Sequence, residues 1–232
     1  TIYTSICKNC MKTIIKFPYI AFLLICITLL QSCNLSHKKE IISQCESTNT
    51  NIIKIPDFDE IYVNGAAEVI YVTGGGAPLV IVTASDSISN DVIVHVEERK
   101  LFLEVKDDIS YDTLRFEIHG TSMLENIELN GATFMRICGT MNPRNIDIDC
   151  NGASTIEIDE IHCTELNIDC FGASFANISN IICDEIDVDC NGASTAKLEG
   201  RCHNARYEAN GASTINSALL NAINIEKSIE NG

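Results

Sequence analysis

The 232-residue sequence is poor in basic residues: 16 Lys and Arg stand against 32 Asp and Glu, a formal charge of −16. The first 32 residues hold Lys8, Lys12 and Lys16 and no acid, so the remainder carries −19. Charge of this sign excludes nucleic acid as a partner and charge-driven attachment to anionic head groups. Cations and neutral glycans remain compatible with it. A convincing helical pattern is also missing, which leaves an all-β chain. The apolar run Ile20 to Leu30 is too short for a membrane span. The histidines His95, His119, His162 and His203 are scattered and make no catalytic set.

What the chain does have is one corner, repeated. Asn130-Gly131-Ala132-Thr133 is followed by Asn151-Gly152-Ala153-Ser154, Phe171-Gly172-Ala173-Ser174, Asn191-Gly192-Ala193-Ser194 and Asn210-Gly211-Ala212-Ser213. The glycines Gly131, Gly152, Gly172, Gly192 and Gly211 lie 21, 20, 20 and 19 residues apart. A period of about 20 residues marks a solenoid whose neighbouring turns bury a shared core.

Aligned on the glycine, the flanks alternate. Leu129, Cys150, Cys170, Cys190 and Ala209 stand two residues before it, and Ile127, Ile148, Ile168, Val188 and Tyr207 four before. Between them stand Glu128, Asp149, Asp169, Asp189 and Glu208. Such alternation describes a half-buried strand. It resumes after the corner, so each coil reads strand, sharp glycine corner, strand and short return. The expected fold is a right-handed parallel β-helix. Glycine supplies positive φ at the corner, and small residues after it suit coils stacked at ~4.8 Å. Stacked asparagines can bond along the axis as a ladder, which Phe171 interrupts.

The chain then divides as follows. Residues 1–10 precede the first methionine and read as upstream translation. Residues 11–32 read as an export signal, with Lys12 and Lys16 ahead of the apolar core. It ends Leu30-Gln31-Ser32-Cys33, which resembles the lipobox of bacterial lipoproteins; the resemblance implies cleavage before Cys33 and its acylation. Acyl chains would hold the protein to a membrane without a spanning helix. Residues 33–50 are polar and aperiodic, a tether. Residues 51–118 hold six short β-rich runs without the repeat, and Asn64-Gly65-Ala66-Ala67 echoes the corner. This segment is expected to be a less regular part of the solenoid, capping its open end. Residues 119–232 are the regular solenoid. Asn231-Gly232 falls where the next corner is due, so a C-terminal truncation is expected; the other reading makes Ala218 to Ile225 a cap.

The stretch Pro56 to Gly75, the hairpin Val94 to Val105 and the Gly-Ala-Ser coils, together with the lipoprotein signal, resemble the putative auto-transporter adhesin family with a head-GIN-type domain. The resemblance spans roughly residues 50 to 232. It implies a secreted or lipid-anchored bacterial protein of β-helical fold, most members of which lack an established biochemical activity. The cysteine content here departs from that pattern.

Eight of the twelve cysteines follow Cys33. Cys150, Cys170 and Cys190 form one inward column, and Cys163, Cys183 and Cys202 a second at the coil ends. No CxxC pair occurs among the eight, which argues against zinc. Parallel Cβ vectors on a ladder disfavour disulfide torsions, so a buried, reduced column is expected; disulfides and metal stay open as alternatives.

The remaining candidate is the acidic stripe Glu128, Asp149, Asp169, Asp189, Glu208, flanked by Asp147, Asn167 and Asp187. Carboxylates ~5 Å apart repel by about 1 kcal/mol per pair in water. Ca²⁺ would relieve this; a solvated face helped by Arg206 and Lys197 would tolerate it. Paired carboxylates also serve glycoside hydrolysis, but coils this short leave little room for catalytic loops. The expectation is a non-catalytic, lipid-anchored envelope protein that binds glycan or protein, on either side of the outer membrane, with homo-oligomers left open. The alternative is a polysaccharide-active β-helix enzyme using the stripe.

Overall fold

Alternation of inward and outward side chains, broken by a glycine every 20 residues, gives each coil one strand in each of two parallel sheets. The structure, a computed structural model, describes residues 48–230 apart from 75, 107–110 and 112. The signal segment, Cys33, Cys45 and Asn231-Gly232 lie outside the described residues. All of the regular structure described is β: β1 (Thr48–Lys54), β2 (Glu60–Gly65), β3 (Glu68–Thr73), β4 (Leu79–Ser85), β5 (Val92–Glu97), β6 (Lys100–Val105), β7 (Leu114–Gly120) and β8 (Asn126–Gly131) come first. The repeats follow as β9 (Phe134–Met141), β10 (Asn145–Cys150), β11 (Thr155–His162), β12 (Glu165–Cys170), β13 (Phe175–Ile182), β14 (Glu185–Gly192), β15 (Thr195–Gly211) and β16 (Thr214–Glu230).

The first sheet stacks β6, β2, β8, β10, β12, β14 and the second half of β15 in parallel. The second stacks β7, β3, β9, β11, β13 and the first half of β15. This is a parallel β-solenoid. β16 adds a further turn, pairing with β15 along both sheets, and Ala218 to Ile225 lies within it.

Sequence order and spatial order part company at the N-terminal end. Val63 of β2 faces Leu103 on one side and Leu129 on the other, so the first coil in sequence is second in space. The chain leaves β3 and runs back as β4, antiparallel to β7. It then turns through the β5–β6 hairpin, where Glu98 and Arg99 both take positive φ, the conformation that suits a tight two-residue hairpin. The segment 51–118 is thus two true coils with antiparallel β4 and β5 added at their edges. β1 extends this edge by pairing with β4. It begins at Thr48, inside the stretch read as tether, because backbone pairing with β4 suffices to order a strand whose side chains are nearly all exposed.

The core is two-sided. Ile61, Ile127, Ile148, Ile168 and Val188 form one fully buried column, and Val63, Leu129, Cys150, Cys170 and Cys190 the next. Val69, Met135, Ile156 and Ala176 face them from the second sheet. Burying an aliphatic side chain contributes about 1.5–3 kcal/mol, so each coil draws stability from its neighbours.

At the corner the glycine is required. Gly172 has φ +81, and a Cβ there would lie 2.6 Å from the Gly152 carbonyl oxygen. That carbonyl accepts the Ala173 N–H at 2.7 Å. The corner serine is also used: Ser194 Oγ donates to the Cys170 carbonyl at 3.0 Å and Ser213 Oγ to that of Cys190 at 2.7 Å.

Candidate functional site

The outward positions of the first sheet place the acidic stripe in register. Asp149 lies opposite Glu128 and Asp169, and Asp189 opposite Asp169 and Glu208. Beside it run Asp147, Asn167, Asp187 and Arg206, paired in the same way. Further along the strands, Glu165, Glu185 and Asn204 complete the surface. A shallow groove of about 390 Å³ passes over Glu165, Asn167, Glu185, Asp187, Asn204 and Arg206.

The asparagines of the corner do not form an axial ladder. Asn130 Nδ2 donates to Glu128 Oε1 at 3.0 Å, Asn191 Nδ2 to Asp189 Oδ1 at 2.7 Å and Asn210 Nδ2 to Glu208 Oε1 at 3.4 Å. Residues i and i−2 share a face of a strand, and an ionised acceptor makes the stronger bond, so each of these amides turns to the acid on its own coil. Asn167, one column across, reaches both ways: its Nδ2 donates to Asp147 Oδ1 on the preceding coil at 2.8 Å and to Glu165 Oε1 on its own coil at 3.3 Å.

Cations sit towards the two ends of the stripe. Lys100 Nζ is 3.4 Å from Glu128 and 3.8 Å from Glu60. Arg206 is 3.7 Å from Asp187 and from Glu208. Lys197 stands on the second sheet between Asn177 and Asn216, so it does not serve the stripe. Alternation sends residues on opposite sides of the corner to different sheets. The carboxyls respond as placed. Partial burial, then the charges of Asp149, Asp189, Asp187 and Asp147, push Asp169 above the usual carboxylate range. Burial and Glu128 raise Asp149, with Lys100 opposing. Burial and Glu208 raise Asp189 against the Asn191 bond and Arg206.

An aromatic row continues the stripe toward the N-terminal end. Tyr62 faces Glu128 across the ladder, Phe102 faces Tyr62, and His95 faces Phe102. His95 stacks on Phe102 at 4.7 Å between centroids, Tyr62 tilts against Phe102 at 5.6 Å, and Lys100 Nζ lies 5.6 Å from the Tyr62 centroid. This row was missed in the sequence because it precedes the regular repeat. Aligning Gly65 with the later corners would have placed Tyr62 in the acidic column.

The histidines are dispersed: His119 pairs with Glu117, His162 with Glu160 and His203 with Asp184. Among the described residues, no three His, Cys, Asp or Glu side chains converge as a metal cluster. Cys150, Cys170 and Cys190 stack in register with no exposure and as free thiols. A thiol hydrogen bond to Cys150, together with burial, pushes Cys170 up to about 12.

The sequence profile of the family described as "Putative auto-transporter adhesin, head GIN domain" matches residues 57–180 and 148–231. The chain belongs to this family. Solved structures share the fold of this head GIN protein. One, described as a putative adhesin from Parabacteroides distasonis, is 17% identical, with 81% of this chain and 80% of that one covered at a TM-score of 0.77. A second from the same organism, described as a putative lipid binding protein, is 20% identical, covers 78% of each chain and has a TM-score of 0.72. A third, described as a putative adhesin from Bacteroides fragilis, is 15% identical, with 80% of this chain and 97% of that one covered and a TM-score of 0.62. No curated protein matches in sequence. Membership in the head GIN family supports an exported envelope protein that binds rather than catalyses.

Proposed function

We propose that this head GIN protein is a non-catalytic, lipid-anchored binding protein of the cell envelope, held by acylated Cys33, with the outer face of its first sheet turned to the ligand. The observation that carries this is the in-register grid of carboxylates and amides, repeated coil after coil from Glu128 to Glu208. A surface with the same donors and acceptors every ~4.8 Å suits many weak contacts to an extended or repetitive partner. With −19 on the chain from Cys33 onward, a neutral glycan or a protein segment with exposed cations fits it best. Calcium belongs to the same reading as a counter-ion to the stripe, taking carboxylate oxygens from neighbouring coils. It should raise the melting temperature of the parent chain more than that of the Asp149→Asn, Asp169→Asn, Asp189→Asn variant.

The test uses the parent chain and that triple variant on a panel of neutral glycans and basic peptides. Binding by the parent and its loss in a folded variant would support the proposal. Turnover of a glycan by the parent, abolished in the variant, would overturn it in favour of a polysaccharide-active enzyme. Replacing Cys33 by Ser should move the full chain from the membrane to the soluble fraction.

A further inference from the structure

The two cysteine columns differ in one respect that matters chemically. The inner column has no access to solvent. The outer column lies at the coil ends, where β11 stops at His162 and β13 at Ile182. Ile161 pairs with Ile181 and His162 with Ile182, and the Cys163 N–H donates to the Ile182 carbonyl at 3.0 Å. Continuing that register puts Cys163 beside Cys183, and the pairing of Ile182 with Arg201 puts Cys183 beside Cys202. Cys163 is half-buried, while Cys183 and Cys202 are each only 6% exposed.

Neighbouring positions on parallel strands lie ~4.8 Å apart, inside the Cα separations that disulfides span. The ladder objection weakens where the regular strands end. The hydrogen bond between the Cys163 and Cys183 thiols holds Cys163 below the usual thiol range, against burial and the nearby Asp184 charge. The same contact, with burial, pushes Cys183 up. Thiolate character and access together make a thiol reactive. Cys163 has the access that Cys183 and Cys202 lack, with a second thiol placed beside it to resolve it.

We propose that Cys163 and Cys183 form an inter-coil disulfide by exchange with an external disulfide, and that Cys202 and the inner column remain reduced. Cys163 thiolate attacks one sulfur of the external disulfide R–S–S–R, forming a Cys163–S–S–R bond and expelling RS⁻, which takes up the proton Cys163 lost. Cys183, giving up its own proton, then attacks the Cys163 sulfur and expels a second RS⁻, which takes up that proton. Two protein thiols are oxidised and one external disulfide is reduced to two thiols. The link closes a loop through a complete coil, which restricts the unfolded chain and staples adjacent turns. Export to an oxidising compartment supplies such an oxidant in the cell. That step rests on the export reading above, whereas the reaction in vitro does not.

The test treats the native full chain with oxidised glutathione at about pH 8, blocks remaining thiols with N-ethylmaleimide, and maps linkages by mass spectrometry. The expected result is one Cys163–Cys183 peptide, absent after dithiothreitol, with a melting temperature several degrees above that of the reduced chain. Protection of Cys150, Cys170 and Cys190 from the maleimide reports an intact fold in the same sample. Cys202→Ser should retain the link and Cys163→Ser should abolish it, so each variant checks the other if one folds poorly. A Cys183–Cys202 link in the parent, or Cys163 left free or only glutathionylated, would overturn the proposal.

Discussion

Asn191 donates its side-chain amide to Asp189 at 2.7 Å, within one coil and on the solvent face of the first sheet. The bond ties the corner to the stripe: the residue beside the glycine helps hold in place the carboxylate that the next coil repels. Asn191→Ala should raise Asp189 further and cost about 1 kcal/mol, a value kept modest by solvent at the site. Urea denaturation, together with NMR titration of the Asp189 carboxyl, checks both effects.

The stripe has a pH signature. Asp149, Asp169 and Asp189 are each raised in the fold, so protonation favours the folded state. Their stabilising contribution is fully present below the unfolded carboxylate value and is lost as pH rises through the raised folded values. Asp169→Asn should therefore stabilise the protein at neutral pH by a few tenths of a kcal/mol, given screening of half-exposed charge. It should also flatten the loss of stability between mildly acid and neutral pH. Denaturation midpoints measured across that range decide the matter; a variant less stable than the parent at neutral pH would contradict the repulsion argument.

The corners should differ in their tolerance of a methyl group. Gly172→Ala places a Cβ 2.6 Å from the Gly152 carbonyl in a left-handed conformation, whereas at Gly211 the same atom would stand 3.1 Å from the Gly192 carbonyl. Both pay about 1–2 kcal/mol for the backbone, and Gly172 pays more for the clash with backbone on the coil beneath. The expected order of melting temperatures is parent, Gly211→Ala, then Gly172→Ala.

Ser194 is fully buried and bonds the Cys170 carbonyl at 3.0 Å. Ser194→Ala removes that partner without adding volume, at a cost of about 1–2 kcal/mol. Hydrogen exchange should quicken at the neighbouring corners, Ala173 and Ala193, before it does elsewhere.

Much of this architecture was legible in advance because a coil is a local object. Alternation around Ile148 and Ile168, the corner glycines and the period of about 20 residues specify strands, turns and inward columns without reference to distant chain. The in-register stripe from Glu128 to Glu208 follows directly, since equal spacing stacks equal positions. The inward column Cys150, Cys170 and Cys190 follows by the same rule.

The N-terminal end was not legible, and the reason is physical. β2 offers two similar edges, and no local pattern records that β6 takes one and β8 the other. That choice puts Tyr62 between Phe102 and Glu128, and so builds the aromatic row against the acids. Lys197 went to the other sheet for the converse reason: its distance from the stripe along the chain is short, but the Gly192 corner lies between them. The sequence alone determined the coil, its faces and its period, because these depend on residues a few positions apart. Only the tertiary structure decided the order of the first two coils and the placing of Tyr62 between Phe102 and Glu128, because each depends on how strands distant in sequence are brought side by side.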